Sequence, residues 1–114
     1  MILRAVRADA KLVRDRIPEI IRADGLEPVI HVAGPEEYAA ALRDKLREEV
    51  AEFLDAHAAR DAEASLEELA DVLEVVRALV SEIGFDPERL EAARAAKAER
   101  NGAFDQRYIW SGNR

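Results

Sequence analysis

The chain has 114 residues, enough for one modest hydrophobic core, and its 49% hydrophobic and 36% charged residues are the balance of a folded protein rather than a disordered one. A formal net charge of -7 opposes the basic field that non-specific nucleic-acid binding needs, so nucleic acid is not an expected partner. The absence of cysteine excludes disulfides and thiolate metal sites, and an acidic protein that handles phosphates needs a cation to mediate.

Met1 to Ala10 hold a short apolar run broken by Arg4 and Arg7, which matches neither a secretory leader nor a membrane span. A cytoplasmic protein without a membrane partner is therefore expected. Asp15 can cap a first helix with Pro18 in its opening turn, and Gly25 after Asp24 is a natural stop. Glu27 to Val32 read as an extended connector, or a short strand near residues 28–32, because Pro28 precedes a β-branched run. Gly34-Pro35 opens a long second helix running to about Ala59, with Glu36 and Glu37 at the positive end of its dipole. Asp61 to Ser65 read as a turn. A third helix follows to about Ile83, stopped by Gly84, and Asp86-Pro87-Glu88 starts a fourth that ends near Asn101-Gly102. The tail from Ala103 carries Phe104, Tyr108, Ile109 and Trp110, a set that should cover a core or a subunit interface.

Periodicity supports an all-α protein, an antiparallel four-helix arrangement with short connections. Leu42, Leu46, Val50 and Phe53 form one apolar stripe on the second helix. On the third, Leu66, Leu69, Val72, Leu73, Val75, Val76, Leu79, Val80 and Ile83 cover about half the circumference at ~100° per residue. That arc is too broad for one partner helix, which predicts a central position and self-association, as a homodimer or homotetramer.

Two acidic clusters lie on these helices, Glu48-Glu49-Val50-Ala51-Glu52 and Glu68-Leu69-Ala70-Asp71. Glu49 and Glu52 share one helix face, as do Glu68 and Asp71, and antiparallel helices can turn the two pairs toward each other. On a helical wheel Glu49 falls about 20° from Leu42, while Glu68 falls inside the apolar arc and Asp71 at its edge. Carboxylates that face a core are costly unless paired or coordinated, and a hard divalent cation such as Mg²⁺ resolves their mutual repulsion. The alternative is a solvated, salt-bridged face, with Lys45 and Glu49 as an i,i+4 pair. His57, one turn past Phe53, reads as a boundary histidine rather than a ligand, and His31 offers nothing that a hard-metal site requires.

Together the clusters resemble the MazG-like all-alpha nucleoside triphosphate pyrophosphohydrolases, whose motif is Glu-Glu-x-x-Glu on one helix and Glu-x-x-Asp on the next. Here these are Glu48-Glu49-x-x-Glu52 and Glu68-x-x-Asp71, with 15 residues between Glu52 and Glu68. The run from Lys11 to Ile21 is similar to the opening of a small single-domain branch of that superfamily, and Lys97 to Phe104 to its ending. The resemblance implies one helical domain with its core over residues 10–104 and a tail over 105–114. It also implies Glu49, Glu52, Glu68 and Asp71 as ligands of Mg²⁺, with Mn²⁺ as an alternative. Glu48 would position or deprotonate the attacking water, or support the ligands. Lys97, Arg100 and Asn101 would reach the triphosphate. Lys11 and Arg14 could also contact phosphates, against the alternative of a solvated basic face. Arg16 fits the solvated face better, and Tyr38, on the side of Glu49, could line a pocket wall. The chain departs from the branch at Asn101-Gly102-Ala103-Phe104, where two consecutive glycines usually precede the Phe. The activity implied is hydrolysis of a nucleoside triphosphate to monophosphate and pyrophosphate, in the manner of enzymes that clear non-standard nucleotides. Phosphoribosyl-ATP pyrophosphohydrolase, and a non-catalytic helical oligomerisation or regulatory module, are the alternatives.

Overall fold

The computed structural model describes residues 10–114, and within them the polypeptide is all-helical, with four helices and no strand. They are α1 (Ile17–Ala23), α2 (Pro35–Ala58), α3 (Ala62–Glu82) and α4 (Pro87–Asn101). The reading of Met1 to Asp9 as neither leader nor membrane span lies outside the described residues. No helix among the described residues is long and apolar enough to cross a membrane.

Local chemistry explains where the long helices begin. Pro35 follows the extended Gly34, and Glu36 and Glu37 fill the first turn of α2. Asp61 Oδ1 accepts the Ala64 N–H at 3.0 Å to start α3, and Asp86 Oδ1 accepts the Arg89 N–H at 2.8 Å to start α4. The first of these caps corrects the expected turn over Asp61 to Ser65. Because Asp61 caps at once, the connection shrinks to residues 59–61. There the Asp61 N–H reaches back to the Ala56 carbonyl at 3.1 Å, with Arg60 in the left-handed region at φ 59. The start of α1 also differs from expectation. Arg16 occupies its cap position and no side chain caps it, so Asp15 does not take that role.

The short connection folds α2 and α3 into a long helical hairpin, the best-packed part of the molecule. α4 packs only on α3, and α1 packs on no other helix among the described residues. Among the described residues only Leu42, Val75 and Val80 form the buried apolar core, and Pro28 is buried as well. The radius of gyration is 18.3 Å, whereas a compact domain of this length has about 13 Å. One chain therefore leaves much apolar surface uncovered. Leu66, Leu69 and Leu73 on the broad arc of α3 stay exposed, as do Phe104, Tyr108, Ile109 and Trp110, so the tail docks on nothing among the described residues. Residues 28–32 are irregular rather than a strand, and no segment among the described residues pairs with them in a ladder.

Candidate metal centre

The wheel position of Glu49 beside the Leu42 stripe places it in the hairpin seam, where only 6% of it is exposed. One turn of α3 brings Glu68 and Asp71 to the same level from the other side. Glu49, Glu68 and Asp71 each offer a ligand atom within 4.8 Å of the others, and so do Glu48, Glu49 and Glu52. Glu49 belongs to both groups and joins them. Five carboxylates thus gather at one level of the hairpin, from spacings of three and four residues on two antiparallel helices.

Their electrostatics differ from those of a solvated acidic face. Glu49 Oε1 and Glu68 Oε1 are both enclosed and accept no hydrogen bond. Burial pushes the Glu49 carboxyl above its ordinary range, repulsion from Glu52 and Asp71 adds to this, and Lys45 opposes it. Glu68 is raised as well, by the loss of water around it and then by Glu52, Asp71 and Glu49. An enclosed acceptor without a donor is costly unless a proton or a cation supplies the missing partner. An all-oxygen donor set of this spacing suits a hard divalent ion such as Mg²⁺ or Mn²⁺.

Three cations already touch the cluster. Lys45 Nζ lies 3.4 Å from Glu48 Oε1 and 3.4 Å from Glu49 Oε2, with only 17% of its side chain exposed. The i,i+4 pair foreseen as an alternative to the metal site is therefore formed, and it leaves the second Glu49 oxygen unpartnered. The other two cations come from the segment before α1. Lys11 Nζ approaches Glu48 Oε2 at 3.3 Å, and Arg14 Nη2 donates to Asp71 Oδ1 at 2.6 Å. Arg16 instead pairs with Glu19 at 3.2 Å, on the solvated side. The contact of Lys45 with Glu48 is the one that sequence reasoning did not include, although their i,i+3 spacing was the available signal.

The residues expected on α4 form no bond with this constellation among the described residues. Lys97, Arg100 and Asn101 occupy its exposed last turns, and none has an ion pair or side-chain hydrogen bond among the described residues. Tyr38 is half-buried near the start of α2. His57 stacks on Phe53 at 5.4 Å, and His31 pairs with Glu37 at 2.9 Å, so neither histidine faces the acids. A separate groove is lined by Val80, Ile83, Phe85, Arg89, Leu90 and Ala93. It is almost wholly apolar and offers no acid–base or metal chemistry, unlike the carboxylate cluster.

The family model for phosphoribosyl-ATP pyrophosphohydrolase matches residues 31–98, which hold both acidic clusters and Lys97 but not Lys11 or Arg14. An uncharacterized protein of Mycolicibacterium smegmatis is 57% identical over 58 residues, 51% of this chain and 56% of the relative, so the match spans little more than half of that protein. No solved structure matches the chain. With the family match covering more than half of its length, and its paired acidic helices inside that match, the chain belongs to the phosphoribosyl-ATP pyrophosphohydrolase family.

Proposed function

We propose that this protein is a divalent-metal-dependent nucleotide pyrophosphohydrolase of the small single-domain branch, acting on a nucleoside triphosphate. The oxygen of water bonds to the α-phosphorus, the bond from that phosphorus to the bridging oxygen breaks, and nucleoside monophosphate and pyrophosphate separate. The observation that carries this reading is the pair of enclosed, unpartnered oxygens on Glu49 and Glu68 within one carboxylate cluster. Glu49, Glu52, Glu68 and Asp71 would hold Mg²⁺ or Mn²⁺. A cation bound there neutralises phosphate oxygens and lowers the pKa of water beside it. Glu48, half-buried at the edge of the cluster, takes the proton of the attacking water or orients it. Pyrophosphate leaves as a polyanion, and Lys and Arg side chains stabilise that charge where carboxylates cannot.

Lys97, Arg100 and Asn101 serve this purpose on the site of a second copy, because their own α4 meets only α3 and pairs with no acid of the cluster. The exposed leucines on α3 and the uncovered tail support a homodimer or homotetramer. The family description favours a second reading, in which the triphosphate is phosphoribosyl-ATP. A panel of ordinary, damaged and deoxy nucleoside triphosphates together with phosphoribosyl-ATP, assayed for pyrophosphate with Mg²⁺ and Mn²⁺, separates the two readings. Metal-dependent release of pyrophosphate from at least one nucleotide is expected. No release from any of them would leave a helical module without this activity.

A further inference from the structure

The segment over residues 10–16 is an irregular strap laid across the acid cluster, and two of its side chains end on candidate metal ligands or their neighbour. Its main chain is seated by half-buried Leu12 and Val13, and Ala10, Lys11 and Leu12 line a small cleft with Ala41, Asp44, Lys45 and Glu48 of α2. The charged ends are less confined. Arg14 has 57% of its side chain exposed and Lys11 58%, so each can leave its carboxylate without disturbing the backbone.

From this geometry we infer that Arg14 is an exchangeable counter-cation, shared between Asp71 and the phosphates of the nucleotide. Arg14 Nη2 holds Asp71 Oδ1 at 2.6 Å, and Asp71 belongs to the three-carboxylate group with Glu49 and Glu68. A guanidinium there and a divalent ion on the same group repel each other, and both draw on the same negative charge. With a divalent ion held by Glu49, Glu68 and Asp71, Asp71 would hold Arg14 less tightly. The freed guanidinium then lies beside the cluster with a fork suited to two phosphate oxygens. Lys11 repeats the arrangement more weakly, since Glu48 also has Lys45. The strap lies outside the residues that match the family, so the proposal rests on its own contacts. It also rests on the reading of the cluster as a metal site.

Opposite effects on two ligands make the exchange testable. In full-length Arg14→Gln, Mg²⁺ alone is expected to bind roughly three- to tenfold more tightly than to wild type, because one repelling charge beside the ion is gone. Inorganic pyrophosphate in saturating Mg²⁺ should bind about tenfold more weakly. Both are read by calorimetry and by thermal shift, with Arg14→Lys expected to keep Mg²⁺ affinity near wild type. If Arg14→Gln weakens Mg²⁺, Arg14 orients Asp71 instead, and the exchange is refuted. Unchanged affinity for both ligands refutes it too. Glu49→Gln separates the two levels of argument. Wild type binding Mg²⁺ while Glu49→Gln does not, with Arg14→Gln indifferent, overturns the strap alone. Wild type that binds neither Mg²⁺ nor Mn²⁺ overturns the metal site and the strap together.

Discussion

Glu49 and Glu68 are held among other carboxylates, and both have pKa values raised above their ordinary 4.5 in the folded protein. The folded state therefore binds more protons than the unfolded chain between 4.5 and those raised values, and without metal its stability rises as pH falls through them. Glu91 has the opposite sign, lowered by its bond to Arg94, but its contribution is lost only below 4.5. In EDTA, Tm should increase on going from neutral pH toward pH 5; a steady decrease would show that the two carboxylates are not under repulsion. Protons and metal compete for the same oxygens, so apparent Mg²⁺ affinity should weaken over the same descent. Glu49→Gln or Glu68→Gln should lower turnover about 100-fold or more and abolish the Mg²⁺-dependent thermal shift. Full activity in either variant would remove that residue from the site. Away from the cluster, Arg60 at φ 59 is a non-glycine residue in a left-handed position. Arg60→Gly should stabilise the protein by about 1 kcal/mol in urea denaturation, and a loss would show that the Arg60 side chain holds the turn.

At the scale of elements, the hairpin of α2 and α3 is the frame on which the acids are aligned, and its caps help fix the register between them. Asp61→Ala and Asp86→Ala should each cost about 1 kcal/mol, and only the first should loosen metal binding, because α3 carries Glu68 and Asp71. Leu42, 2% exposed in the seam, should cost about 2–5 kcal/mol as Leu42→Ala. Much of this frame was legible from residues alone. Pro35, Gly84 and Asp86-Pro87 mark helix boundaries through backbone restriction and capping, which act locally. Glu49 and Glu68 stand out in the sequence because a carboxylate on an apolar stripe is conspicuous at any period, and the hairpin brings them together. The start of α1 was less legible, since a short helix can begin without a side-chain cap, and Asp15 and Arg16 differ in the sequence only by residue type. The ion pairs of Lys11 with Glu48 and of Arg14 with Asp71 join residues 37 and 57 positions apart, and no local pattern encodes such contacts. The apolar set of the tail points to a covered surface, yet among the described residues the tail stays exposed.

The whole molecule is extended, 61 × 36 × 25 Å, around a hairpin with a small core. The net charge is concentrated there as well. Residues 35–82 hold 14 acidic and 5 basic side chains, a charge of -9, while the flanking segments together carry +2, which makes up the total of -7. An acidic hairpin between mildly basic flanks favours contact between the flanks of one copy and the hairpin of another. Light scattering should therefore return at least twice the 12.7 kDa chain mass; a stable monomer would contradict the proposal that Lys97 and Arg100 serve the site of a second copy. The most direct measurement is of the acid cluster itself, by electron paramagnetic resonance of Mn²⁺ titrated with the full-length protein. The signal of free Mn²⁺ should fall as wild type is added, recover on addition of excess Mg²⁺, and stay unchanged with Glu49→Gln. Wild type and Glu49→Gln leaving the same free signal would contradict a divalent ion held by these carboxylates.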